Sequence, residues 1–173
     1  RAAVLEQLAR VPEAMDQAGV RRLLVDTDPA VREAAVRALL ATSGTAAPAL
    51  LNELLHHGSS AVRTAALSCV VGDGRTSIFR ATGLAYVEER WRAGAPDAEA
   101  RAELALAAGV LRGVPDAHRF LDPFLDDDDP RVRGTALRSA ALVGRVDCCP
   151  RMIDALGDRA TREAAREALA LIG

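Results

Sequence analysis

The sequence predicts an all-α fold, a right-handed α-α superhelix of about four to five stacked helical hairpins, and three observations lead there. Only 3% of the 173 residues are aromatic although 50% are hydrophobic, so the material for an all-β sandwich core is missing. Ala is abundant and all 22 basic residues are Arg, and both residue types favour helix. A short string also recurs along the chain. Asp28-Pro29-Ala30-Val31-Arg32-Glu33-Ala34-Ala35 returns as Ser59 to Ala66 and as Asp129 to Ala136, with weaker copies at Asp158 to Ala165 and Asp97 to Leu104.

Aligned on the shared Arg, the copies place Arg32, Arg63, Arg101, Arg133 and Arg162 at intervals of 31, 38, 32 and 29 residues. Columns that did not set the alignment agree with it. Four positions before each Arg stand Asp28, Ser59, Asp97, Asp129 and Asp158, whose side-chain oxygens can accept the orphan N–H groups of a helix's first turn. Pro29 and Pro130 follow their caps at the first helical position, where a missing N–H costs nothing. Three residues after each Arg stand Ala35, Ala66, Leu104, Ala136 and Ala165, and four further on Leu39, Val70, Ala108, Ala140 and Leu169, an apolar stripe at helical spacing. Gly44, Gly113, Gly144 and Gly173 then fall where a left-handed C-cap is needed. Second (B) helices are thus expected near 28–42, 59–71, 97–112, 129–143 and 158–172.

First (A) helices are expected upstream of each. Ala46 to His57 carries Leu50, Leu51, Leu54 and Leu55, and Pro12 to Val25, Asp116 to Leu125 and Pro150 to Leu156 are shorter versions. Thr76 to Arg92, with Phe79, Tyr86 and Trp91, is longer and accounts for the 38-residue interval. One hairpin cannot bury its apolar face alone, so stacked neighbours complete the core.

The Asp-Pro-x-Val-Arg-x-x-Ala string resembles the HEAT repeat, and its short period is similar to bacterial, phycobilisome-lyase-type HEAT-like repeats. The resemblance implies that the recurring Asp and Arg residues form a hydrogen-bonded ladder between neighbouring repeats, and that the activity is holding other proteins on a concave face lined by B helices. It identifies a scaffold rather than a reaction.

Length and composition set the remaining bounds. The chain is long enough for one sizeable core, read as a single domain over 1–173. Arg1 to Arg10 starts inside an amphipathic run with Ala3, Val4 and Leu8, and Ala168, Leu169 and Ile172 end on an apolar stripe. A fragment of a longer protein is therefore expected, with further repeats, another domain or a second subunit at an open end. The Arg and Ala bias reads as a GC-rich bacterial genome. Cys69, Cys148 and Cys149 form no disulfide framework and fit a reducing cytoplasm. No apolar run is long enough to insert directly into a membrane.

Chemical signals are sparse. A net charge of −2, and a column of Arg37, Ser68, Leu106, Arg138 and Glu167 with no consistent sign, oppose a nucleic-acid groove. Asp126 to Asp129 lack the alternating spacing and glycine turn of a calcium loop. Adjacent His56 and His57 point about 100° apart on a helix and do not converge on one metal. Cys148-Cys149 lacks the spacer of a redox pair, and there is no His-Glu dipeptide, phosphate-binding loop or nucleotide fingerprint. His118, Arg119 and Asp122 make a small polar cluster of a kind any such helix supplies. No cofactor, metal or catalytic residue is expected. The reading is a non-catalytic protein-protein interaction scaffold or regulatory module with a protein partner. Arg37, Tyr86, Trp91, Arg138 and Glu167 are its candidate contacts, because aromatics and Arg dominate interface hot spots. The alternatives are a HEAT-like enzyme of the lyase or DNA glycosylase type, and a regulatory domain attached to a membrane transporter or signalling protein.

Overall fold

The computed structural model describes residues 16–73, 77–112 and 117–173. Among these residues there are ten α-helices, joined by turns and short 3₁₀ segments, with no strand. This is the all-α hairpin architecture the sequence predicts. The chain divides into two compact units, residues 1–82 and 83–173. Arg1 to Arg10, Pro12 and Gly113 lie outside the described residues.

In the first unit, α1 (Gln17–Arg22) continues as a 3₁₀ turn over Leu23–Val25 and packs on α2 (Pro29–Thr42), while α3 (Ala47–Leu55) packs on α4 (Ser60–Asp73). The two B helices, α2 and α4, also pack on each other. Asp28 opens α2 as foreseen, its Oδ1 accepting from the Ala30 N–H at 2.9 Å. Leu50, Leu51, Leu54 and Leu55 are all buried on α3. Along α2, Val31, Ala34, Ala35, Val36, Ala38, Leu39 and Leu40 are buried, which is more than one stripe. A helix enclosed by its own A helix and by neighbouring B helices needs apolar residues on most of its circumference, and Ala lets those neighbours come close.

In the second unit, α5 (Ser77–Ala93), which begins in the first unit's last residues, precedes α6 (Ala98–Ala107). The pairs α7 (Asp122–Leu125) with α8 (Pro130–Leu142) and α9 (Cys149–Ala155) with α10 (Arg162–Ile172) follow. Here α8 packs on α6 and on α10, so the three B helices form one layer, with α7 on α8 and α9 on α10. Helix α8 is stopped as expected. Gly144 has φ +83°, its N–H donates to Ala141 O, and the Arg145 N–H donates to Ala140 O, a pairing that satisfies two otherwise orphan carbonyls.

Three elements depart from the expectation. The run Asp116 to Leu125 is a 3₁₀ turn over Ala117–Phe120 followed by the single turn α7, because Pro123 supplies no N–H to a continuous helix. The last B helix starts at Arg162 rather than near Asp158. Asp158 Oδ1 accepts from the Ala160 N–H at 2.9 Å and so caps a separate turn, while buried Thr161 stands at the head of α10 and donates its hydroxyl to Ala155 O. The chain leaves α5 through Gly94, at φ +80°, a left-handed position absent from the other turns between A and B helices among the described residues.

Candidate functional site

The recurring Arg acts at the turn between the two helices of its own hairpin. Arg32 Nη1 donates to Asp26 O at 2.7 Å and Thr27 O at 3.0 Å, and Arg63 Nη1 to His57 O at 2.9 Å and Gly58 O at 3.2 Å. Arg133 Nη1 repeats this with Asp127 O at 2.7 Å and Asp128 O at 3.0 Å, and Arg162 Nε with Leu156 O at 2.8 Å. These carbonyls lie just past the C-terminus of an A helix. The guanidinium, planar with several fixed donors, supplies hydrogen bonds that the helix itself cannot, and its charge suits the negative helix end.

In the second unit the expected ladder between neighbouring hairpins is present. Arg133 Nη2 reaches Asp158 Oδ2 of the next hairpin at 3.0 Å. Arg101 Nε and Nη2 clasp both oxygens of Asp127 at 2.7 and 3.1 Å, a bidentate pair whose carboxylate is only 8% exposed. Asp127 Oδ1 also accepts the Asp129 N–H at 2.9 Å. Its carboxyl is therefore held below the ordinary range, first by the bond from Arg101. Asp129 is pulled to about 2, chiefly by the Arg131 side chain at 2.8 Å. In the two turns of the first unit Asp26 and His57 stand in for Asp127: Asp26 Oδ1 accepts the Asp28 N–H at 3.0 Å, and His57 Nδ1 accepts the Ser59 N–H at 3.1 Å. This column, two residues before each Asp or Ser, is hidden in the sequence because it reads Asp26, His57, Ala95, Asp127 and Leu156. These clusters are structural wiring, and the four consecutive acids are part of it.

Of the five candidate contact residues, Arg37 lies in the first unit and Tyr86, Trp91, Arg138 and Glu167 in the second. Arg37 is exposed on α2. Tyr86 is 2% exposed, and its hydroxyl donates to the carboxylate of buried Glu103. Its place is the core of the second unit, where a buried phenol needs a polar partner, and not an open face. Arg138 on α8 and Glu167 on α10 pair with each other. The sign change in their column is thus a salt bridge between neighbouring helices rather than an absence of pattern.

Trp91 differs from these four. At 36% exposure on α5 it packs edge-on against Phe120 (5.2 Å, 85°) and Phe124 (6.0 Å, 84°). Arg119 lies 4.5 Å above the Phe120 ring. Glu88, Trp91, Arg92, Arg119 and Phe120 line a hollow of about 360 Å³. The aromatic support from Phe120 and Phe124 was missed in the sequence because the two residues lie about 30 positions from Trp91 and in a broken helix.

The Cys148 thiol is buried, and burial pushes its pKa up, which favours the unreactive thiol form. Among the described residues no three or more His, Cys, Asp or Glu side chains are grouped to hold a metal ion, and no helix is long and apolar enough to cross a membrane.

These helical hairpins, each with an Asp or Ser four residues before a recurring Arg at the head of its B helix, define a repeat protein of the helical-solenoid class. The family described as HEAT repeats matches residues 1–70 and 90–170, and the chain belongs to that family. Among solved structures it is similar to an engineered protein from the Northeast Structural Genomics Consortium, at 18% identity and a TM-score of 0.49, over 99% of this chain and 89% of that one. No curated protein matches it.

Proposed function

We propose that the chain is a non-catalytic protein-interaction scaffold of bacterial cytoplasm, and that Trp91 is the centre of a partner-binding surface. One observation carries the reading: a large aromatic ring is fixed by two others and still faces solvent, beside a hollow edged with Arg92 and Arg119. Interface hot spots are built this way, from a pre-ordered Trp or Arg in a partly dry pocket, because little side-chain entropy remains to be lost on binding. Membership of the HEAT repeat family supports it, since such repeats generally mediate protein contacts. Arg37, and the Arg138–Glu167 pair on the B-helix layer, are secondary contacts in this proposal, and a further repeat, domain or subunit at an open end is a second kind of partner.

The test uses the fact that Trp91 is the single Trp of the chain. A partner is captured by cross-linking in the source cells, identified, and titrated against the wild type and Trp91→Ala. The expected result is a shift of indole emission on binding and a loss of at least about tenfold in affinity for W91A, compared well below the melting temperature of both proteins because removal of the packed ring also lowers Tm. Equal affinity of the two proteins removes Trp91 from the interface.

A further inference from the structure

Most arginines of the second unit close on an acid, as Arg101 does on Asp127, Arg133 on Asp158, Arg138 on Glu167 and Arg145 on both Asp122 and Asp147. Arg119 does not. It is exposed, its guanidinium carbon lies 4.5 Å over the Phe120 ring, and among the described residues no carboxylate or other acceptor takes its N–H groups. The acid three residues further on, Asp122, turns to Arg145 instead at 2.9 Å. The ring holds the cation in place, while its donors are left to solvent.

Arg119 lines the same hollow as Trp91, and the hollow's other charges offset each other. Glu88 and Arg92, one helical turn apart on α5, form an ion pair at 3.7 Å, so the charge that remains is the single positive one of Arg119. Trp91 supplies an apolar wall, anchored by Phe120 and Phe124, and the methylene stems of Arg92 and Arg119 extend it. A ligand that answers both features carries one carboxylate beside one apolar group. A guanidinium gives a carboxylate two parallel hydrogen bonds. A phosphate, with nearly two charges, gains less because the Glu88 carboxylate lines the same space. A basic or purely apolar ligand would take water from Arg119 and return no acceptor.

We propose that the partner docks an acidic-apolar segment here, an Asp or Glu carboxylate on Arg119 and the adjacent apolar side chain against Trp91; the inference rests on the reading of Trp91 as a partner-binding centre. The occupant is a protein segment and not a free small acid. Trp91 and Arg119 are both exposed and the hollow holds only about 360 Å³, so a small acid would keep much of its surface in water, whereas a protein segment covers the surroundings as well. The two halves of the site have different duties. The fixed ring supplies affinity, and the solvent-edged cation selects which segment docks.

The experiment selects a displayed library of random short peptides against the whole chain, Trp91→Ala and Arg119→Glu. The selected peptides are then titrated by the anisotropy of a label on the peptide, well below the melting temperature of each protein. Peptides that bind the wild type but not W91A are expected to carry Asp or Glu beside an apolar residue. Replacing that acid by its amide, or Arg119 by Gln, should each weaken binding about fivefold, and the two together little more than either alone. Arg119→Glu should reverse the preference at the same peptide position to Lys or Arg, which a merely structural role for Arg119 would not do. Acid-free peptides selected as strongly, a preference unchanged in R119E, or tighter binding when phosphoserine replaces the acid would each overturn the acidic-apolar partner and leave Trp91 as the centre. If no peptide distinguishes W91A from the wild type, the centre itself fails and the partner assignment with it.

Discussion

The turns that open α6 and α8 carry the same Asp and Arg at the same spacing but are wired differently. At α8, Arg133 holds two carbonyls of its own turn and then reaches forward to Asp158. At α6, Arg101 places both of its bonding groups on Asp127 of the following hairpin and none on the carbonyls of Ala95 and Pro96. The chain before α6 passes through Gly94 at φ +80°, and Pro96 restricts Ala95 to extended geometry, so the carbonyls there face other directions. The Arg therefore has two separable duties, closing the helix before it and tying the hairpin after it. The backbone of the turn decides which duty is filled.

The largest expected effect tests the duty that both turns share. Asp127 is the forward partner of Arg101 and also fixes the turn in front of α8 by accepting the Asp129 N–H. Asp127→Ala removes a nearly buried carboxylate, strands a half-buried guanidinium and frees one backbone donor, and should cost about 2–3 kcal/mol in denaturant unfolding. If D127A unfolds with the wild-type midpoint, the bidentate pair is surface decoration and the comparison loses its meaning.

Arg133→Ala separates the two duties at α8 and should cost about 1–2 kcal/mol, since two carbonyls at a helix end return to water while the exposed bond to Asp158 contributes little. Lys in its place should recover less than half of the loss, because an ammonium on a flexible stem cannot hold two carbonyls and a carboxylate in one plane. Full rescue by R133K would mean that charge near the helix end, and not the fork of donors, is what matters.

The two turns also explain how much could be read in advance. The Asp cap, the Arg and the apolar stripe were legible because each answers to local geometry that repeats: a first-turn N–H to satisfy, a face to bury, a Gly to end on. The carbonyl acceptors of Arg32 and Arg133 were not, since backbone oxygens have no letter in a sequence. Tyr86 illustrates the opposite failure. An isolated aromatic in an irregular segment looks like a contact residue, and only the position of Glu103 on the facing helix shows that its hydroxyl is satisfied indoors. Trp91, similar in sequence context, is left 36% exposed although Phe120 and Phe124 pack against it.

The smallest effect expected is one of pH. Asp127, Asp129 and Asp158 all have carboxyl pKa values below the ordinary 3.8, held down first by Arg101, by Arg131 and by the Ala160 N–H respectively. A carboxylate with a lowered folded-state pKa stabilises the fold fully above its unfolded value and loses that contribution as pH falls through the folded one. Melting temperature should thus be level from neutrality down to about pH 4 and fall between there and about pH 2, the value of Asp129. Asp158→Asn keeps an oxygen for the Ala160 N–H but not a charge for Arg133, so it should flatten this fall slightly and leave the melting temperature at pH 7 nearly unchanged. Asp127→Asn should flatten it more, because its partner bond is shorter, doubled and less exposed to solvent. If D158N flattens the acid limb as much as D127N does, the forward ties made by Arg101 and Arg133 are equivalent, and the difference between the two turns lies in their backbones alone.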